Sequence, residues 1–366
     1  MTRYSRLATA VIAGALVLTA CGSDNNTGSV GSTGTKSTGG SDCASGTLNA
    51  EGSSAQKNAI EEAISGYNST CPDATINYNP TGSGAGVKQF NAGQVDFAGS
   101  DSALKADKGE VDAAKARCQG NDAWNLPMVA GPIAIAYNVE GVDKLVVTPA
   151  VAAGIFKGTI KKWDDPKIAD LNSGAKLPSA DIKVFFRSDE SGTTENFTKY
   201  LKGASGGVWT DEPAKTWPGT GEGKAKSDGV SQGVKSTPNS VTYVEWSYAK
   251  DNALGIAQVD NGGGPVELTG ESVGKAVVAA KSDGTGNDLK LKLDYTTKEA
   301  GAYPVLLVTY EIVCSKGLDA AKTKLLKSFL TYFSAADTQK GLEEIGYAPL
   351  PDQVRTKVDA AIKAIS

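Results

Sequence analysis

The chain has 366 residues, with 37 Lys and Arg against 41 Asp and Glu and no histidine. A net charge of −4 argues against a nucleic acid or an anionic membrane held by bulk electrostatics. The missing histidine excludes Ser-His-Asp and Cys-His catalysis and every His-ligated metal, and the length is enough for two ordinary domains.

In chain order, Arg3 and Arg6 precede the apolar run LATAVIAGALVLTA (7–20), too short to span a bilayer comfortably. The run ends in LTAC, with Cys21 behind small residues. This resembles the lipobox of bacterial lipoproteins, where the cysteine becomes the mature N-terminus and carries acyl chains such as palmitate. The resemblance implies a signal peptide over 1–21, lipidation at Cys21 and an extracytoplasmic address on the outer face of the bacterial cell membrane. A plain secretory signal or a hydrophobic tail is the alternative. Residues 22–42 are mostly Gly, Ser and Thr with Val30 as the one hydrophobic residue, which reads as a flexible tether. Four further cysteines, Cys43, Cys71, Cys118 and Cys314, suggest two disulfides in an exported chain. Three pairings exist. The favoured one joins Cys43 to Cys71, from the start of the first strand to the end of the first helix, and Cys118 to Cys314. Free buried thiols are the alternative.

GTLNAEG (46–52) reads as a strand. SAQKNAIEEAISGYNS follows with Ala55, Ala59, Ile60, Ala63 and Ile64 at helical spacing. ATINYNP is a strand, GAGVKQFNAG a short helix closed by Gly93, and QVDFAGSD a strand. This alternation predicts an α/β chain with a parallel sheet and covering helices. VAGPIAIAYNV (129–139) and YPVLLVTYEIV (303–313) are long β-rich runs, expected to cross between two lobes. Between them, TPAVAAGIFKGTIKKWDDPKIADLN is expected to be helical with turns, IKVFFR a strand, TENFTKYLKGAS a helix, SVTYVEWSYAKDN a helix and ALGIAQVDN a strand. DAAKTKLLKSFLTYFSAAD and PDQVRTKVDAAIKAI read as terminal helices.

Three strand-to-helix junctions carry glycine and hydroxyls: AEGSSAQ (50–56), PTGSGAGVKQF (80–90) and RSDESGTTENF (187–197). The first turn of a helix leaves amide N–H groups unpaired at the positive end of the helix dipole, a place for an anion. In an open α/β sheet such junctions gather at the carboxyl edge of the strands. In the third stretch, Gly192 permits close backbone approach, Ser191 and Thr193 add hydroxyls, and Arg187 offers a forked charged donor set that Asp189 is placed to hold. Ordinary capping by Ser or Thr is the plain alternative. The second stretch, with Ser83, has neither Walker nor dinucleotide-binding spacing, and a tight turn explains it equally well. Asp101 opposes an anion unless the ligand carries a proton. A carboxylate accepts a hydrogen bond from P–OH, whereas sulfate has no proton to give, so Asp101 would penalise sulfate. A helix cap or a solvated strand-end acid is the alternative at Asp101.

The stretches GSGAGVKQFNAGQVDFAGSD, GIFKGTIKKWDDPKI, RSDESGTTENF and SVTYVEWSYA stand in family order, from about residue 45 to the end. Together they resemble the phosphate-binding component of high-affinity phosphate ABC transporters. The resemblance implies a two-lobed periplasmic binding protein-like fold with a hinge and an inter-lobe ligand cleft. Lobe I would comprise 44–133 and 304–366, and lobe II 134–303. It implies binding without catalysis: inorganic phosphate as ligand, permease subunits as partners, a monomer, no cofactor, no metal and no nucleic acid. Matched residue by residue, it implies phosphate contacts at Ser54, the Ala55 amide, Ser83, Asp101, Arg187, Ser191, Gly192 and Thr193. The chain departs from the family at AEGSSAQ, where a Gly-Ala-Gly-Ala-Thr-Phe-Pro run is frequent, and at Glu190, where many members have glycine. Glu190 could repel the ligand, serve as a second acceptor or face solvent. The rival readings are a phosphohydrolase with Ser191 or Ser83 as nucleophile, and an exported adhesion or signalling protein.

Overall fold

The computed structural model describes residues 43–366, so the expected signal peptide, Cys21 and the tether lie outside the described residues. The first part of the chain forms β1 (Gly46–Gly52), α1 (Lys57–Thr70), β2 (Ala74–Asn79), α2 (Ser83–Asn91), β3 (Phe97–Ser100), α3 (Glu110–Arg117) and the long β4 (Ala123–Asn138). The middle carries β5 (Val146–Val147), α4 (Pro149–Lys157), α5 (Pro166–Ala169), β6 (Lys183–Arg187), α6 (Gly192–Ala204), β7 (Glu222–Lys224), α7 (Lys226–Ser236), β8 (Ser240–Glu245) and α8 (Trp246–Asp251). Short strands β9 (Gly255–Ile256), β10 (Gln258–Asp260) and β11 (Pro265–Val266), helix α9 (Gly270–Val278), and strands β12 (Lys281–Ser282) and β13 (Leu291–Lys292) come next. The chain ends in β14 (Leu306–Cys314), α10 (Ala320–Ser334), α11 (Ala336–Glu344) and α12 (Asp352–Ala364).

The main sheet runs β2-β1-β3-β14-β4-β8-β6-β7. Strands β2, β1 and β3 are mutually parallel, and so are β8, β6 and β7. Between these blocks, β14 pairs antiparallel with both β3 and β4, and β4 pairs antiparallel with β8. The first half of β4 lies against β14 and its second half, Ile133–Asn138, against β8. The two long β-rich runs are therefore hydrogen-bonded to each other in the middle of the sheet, which is mixed rather than wholly parallel.

Apolar packing changes sides along the same strand. Leu126, Met128 and Val129 pack with Leu48, Ile60, Phe329 and Phe333, while Ile133 and Ile135 pack with Phe156, Phe197 and Tyr243. Helix α10 contributes Leu325, Leu326, Phe329, Leu330 and Phe333, a spacing that turns one apolar face inward, with Tyr67 set edge-on against Phe329. Burying such side chains contributes about 1.5–3 kcal/mol each.

Two disulfides join Cys43 to Cys71 and Cys118 to Cys314, the favoured pairing. Three expected elements differ. SVTYVEWSYAKDN is a strand followed by a helix: Ser240–Glu245 is buried on both faces, so Val241, Thr242 and Val244 sit in a covered strand without apolar alternation. ALGIAQVDN breaks into β9 and β10. The run over 319–337 is two helices, because Ala335 leaves the helical region at ψ 144°.

Candidate functional site

Strands β1 and β3 are neighbours, as are β6 and β8, with β14 and β4 between the pairs, and the residues at or just past their ends are Ser53, Asp101, Arg187 and Glu245. All four are buried. The hydroxyl-bearing junctions converge on this edge, as an open α/β sheet requires.

Asp101 is the centre of the first half. Its Oδ1 accepts hydrogen bonds from Ser53 Oγ at 2.6 Å and Thr309 Oγ1 at 2.7 Å. Its Oδ2 accepts from Ser83 Oγ at 2.9 Å. A carboxylate offers about four lone-pair sites, so these donors leave one free, on Oδ2. Burial raises the Asp101 pKa, while the three hydroxyls and Arg187 pull it back. Gly192 faces that oxygen from the other half. A Cβ there would stand 2.7 Å from Asp101 Oδ2, 2.5 Å from Asp101 Cβ and 2.6 Å from Ser83 Oγ, so only glycine permits the approach.

Arg187 is the centre of the second half. Its Nε and Nη2 donate to Asp189 Oδ1 and Oδ2 at 2.7 and 2.5 Å, a bidentate pair that fixes the guanidinium plane. Its Nη1 donates to Thr193 Oγ1 at 3.3 Å and Ser227 Oγ at 3.2 Å. Burial opposes the charge on Arg187, but Asp189 and Glu245 outweigh it and hold the group above its ordinary value. Burial likewise works against the Asp189 carboxylate, yet the Arg187 pair holds its pKa below the usual range. The backbone N–H of Lys226 also donates to Asp189 Oδ1 at 2.8 Å.

Ser191 caps α6, its Oγ accepting from the Thr194 N–H at 3.2 Å. The plain capping reading is therefore true of Ser191, and it coexists with a place beside Arg187 and Gly192. Ser54 Oγ lies 3.0 Å from Ser227 Oγ, bringing the α1 and α7 junctions together. The Ala55 N–H is taken by Ser53 Oγ at 3.0 Å. The structure thus brings Ser54, Ala55, Ser83, Asp101, Arg187, Ser191, Gly192 and Thr193 to one sheet edge. It puts Ser53, beside Ser54, on the carboxylate.

Glu190 pairs with Lys88 at 2.7 Å, and its carbonyl accepts the Gly84 N–H at 3.0 Å. Its charge is thereby partnered away from Asp101. Sequence reasoning missed Thr309, Ser227 and Glu245. Thr309 lies inside an apolar strand without motif. Ser227 sits in the first turn of α7, where the hydroxyl after KAK was the available signal. Glu245 fell within the stretch taken as a helix. It is fully buried, accepts from Thr193 Oγ1 at 2.5 Å, and burial raises its pKa against the pull of Arg187. A cavity of about 450 Å³ opens beside Asp101, lined by Lys105, Asn196, Lys199 and Tyr295 among others. Among the described residues no cluster of acids and cysteines is arranged to hold a metal ion, and no helix is long and apolar enough to cross a membrane.

Residues 37–337 match the PBP superfamily domain model. The chain is 44% identical over 372 aligned positions, covering all of both chains, to the phosphate-binding protein PstS3 of Mycobacterium bovis. It is 45% identical over 360 positions to phosphate-binding protein PstS 2 of Mycobacterium tuberculosis, covering 97% of this chain and 96% of the relative. The chain belongs to the PstS phosphate-binding protein family. Members of this family are binding proteins rather than enzymes, which sets aside a nucleophilic role for Ser191 or Ser83. A structure described as a high affinity periplasmic phosphate-binding protein (PfluDING) bound with phosphate shares the PstS-like fold. The two superpose with a TM-score of 0.70 at 22% identity over 86% of this chain and 93% of the other.

Proposed function

We propose that this protein captures inorganic phosphate outside the cytoplasm and delivers it to the permease subunits of an ABC transporter. The observation that carries the reading is Asp101: three hydroxyl donors occupy three of its lone-pair sites, and one on Oδ2 is left. A protonated phosphate fills that position by donating P–OH to Oδ2. Its other oxygens take the remaining N–H of Arg187 Nη2, the hydroxyls of Ser54 and Ser191 and the amides of the first turns of α2 and α6, while Ser83, Thr193 and the Ala55 N–H, bonded here to Asp101, Glu245 and Ser53, reach the ligand by exchanging those partners. Asp189 neutralises Arg187 locally, so the ligand's charge is balanced mainly by these dipoles, in keeping with a chain of net charge −4. Sulfate meets Asp101 acceptor to acceptor, a cost of several kcal/mol for a buried charge, on the order of a thousandfold in affinity.

The switch in packing along β4 supports a division into lobe I, 44–133 with 304–366, and lobe II, 134–303, hinged on β4 and β14. Closure of one lobe on the other completes the donor set. A lipid on Cys21 and the 22–42 tether keep the body near the permease as a monomer. Calorimetric titration with phosphate and with sulfate tests the binding step. Tight phosphate binding with sulfate weaker by about a thousandfold is expected; equal affinities overturn the role of Asp101. Labelling with radioactive palmitate, lost in C21S, tests the anchor.

A further inference from the structure

Glu311 lies on β14 opposite Gly99 of β3, two residues beyond Thr309, whose hydroxyl reaches Asp101. Alternation along the strand puts Thr309 and Glu311 on one face, about 7 Å apart. Glu311 is fully buried, and neither carboxylate oxygen has a hydrogen bond of good geometry; the Gln56 amide is the one donor group beside it. Its polar surroundings are the Gln56 amide before α1, the Tyr78 hydroxyl on β2 and Asp101 after β3. Gln56 donates to Tyr78 Oη, and Tyr78 donates to the carbonyl of Ser53, so this cluster is the floor beneath the Ser53–Asp101 contact. Gln56 Oε1 is likewise buried and unpaired.

A buried carboxylate with two unpaired oxygens, beside a second acid and without a basic partner, is a costly arrangement. A neutral carboxyl is not, and its O–H is a donor for Gln56 Oε1. The charges around the site point the same way. Asp101, Glu245 and Glu311 are buried and Asp189 is half-buried, four acids against the one guanidinium of Arg187. Adding a phosphate dianion beside Asp101 makes the local potential more negative still. Asp189 is committed to Arg187, and Glu245 receives the Thr193 hydroxyl and the field of Arg187. Glu311 alone of the four has no cation beside it and only the Gln56 amide as a donor, which makes it the group that answers by binding a proton.

We propose that Glu311 is a proton-binding residue of the phosphate site, taking up a proton as phosphate binds and so setting the alkaline limit of capture. The proposal rests on the phosphate-binding reading. Burial, against the pull of the Gln56 amide and with the charge of Asp101, pushes its carboxyl up to about 8, so the uptake is visible in mildly alkaline solution, where free phosphate is already the dianion.

The test is calorimetry at pH 8.5 with phosphate, in two buffers of different ionisation enthalpy, on the full chain and on Glu311→Gln. The wild type is expected to take up about half a proton or more per phosphate, and its affinity to fall several-fold between pH 7 and about pH 9. Glu311→Gln loses that uptake, and the fall in affinity flattens. Uptake retained in Glu311→Gln assigns the proton to phosphate or another acid and overturns the proposal, as does phosphate binding without uptake in the wild type. Absence of phosphate binding in the wild type defeats the functional reading itself. Should the variant not fold, infrared difference spectra of the wild type decide. A protonated carboxyl band gained on phosphate addition at pH 8.5 supports the proposal, and its absence overturns it.

Discussion

At the scale of single residues, the site turns on which lone pairs and contacts are already taken. Asp101 keeps one free acceptor position, so Asp101→Asn replaces it with an amide that also donates. Phosphate affinity is expected to fall by about ten- to a hundredfold, and discrimination against sulfate to shrink by more, measured by titration with both ions. Gly192→Ala puts a methyl 2.5 Å from Asp101 Cβ and 2.6 Å from Ser83 Oγ, with backbone-proximal atoms that have little room to give. Affinity is expected to drop by more than about a hundredfold, with loss of the phosphate-induced rise in Tm. These positions were legible in the sequence because hydroxyls, glycine and arginine cluster at helix starts, where the chemistry needs them. Thr309 was not legible. Nothing in YPVLLVTYEIV distinguishes a threonine that serves a carboxylate from one that fills a strand, since its partner is more than two hundred residues away.

At the scale of elements, the strand–helix rhythm before residue 101 could be read because each piece is half exposed and shows its period. The centre of the sheet could not. Strand β8 is buried on both faces and merges into α8 without a turn residue, so its pattern does not separate strand from helix. The same burial hid Glu245. The long β4 and β14 were recognisable as β-rich runs, but their pairing with each other depends on contacts distant in sequence. The Cys118–Cys314 disulfide ties the end of α3 to the end of β14 across 196 residues, away from the sheet edge that bears the site. Replacing both cysteines with serine is expected to cost about 2–5 kcal/mol of stability by denaturant unfolding. Phosphate affinity should change less than about threefold, because no site contact is removed.

At the scale of the whole molecule, buried charge governs how stability follows pH. Glu311 holds its proton up to about 8 in the folded state but gives it up near its ordinary value of 4.5 when unfolded. The folded state therefore binds more protons across that window, and stability falls as pH rises through it, by up to about 1.4 kcal/mol per pH unit. Asp189 and Glu195 shift the other way, held low by Arg187 and by Lys199 with Lys105, so their contributions are lost only on acidification. Unfolding curves from pH 5 to pH 9 are expected to show this decline in the wild type and a shallower one in Glu311→Gln. A parallel decline in both would remove Glu311 as its cause.

In the proposed complex, donors from both halves of the molecule surround one protonated tetrahedral ion and Asp101 receives its hydrogen. A crystal structure grown with phosphate at high resolution tests it most directly. Tetrahedral density is expected between Asp101 and Arg187, with one phosphate oxygen about 2.5–2.7 Å from Asp101 Oδ2 and the other oxygens on amide, hydroxyl and guanidinium donors. Phosphate bound elsewhere, or oriented with no oxygen within about 3.5 Å of Asp101, would contradict it.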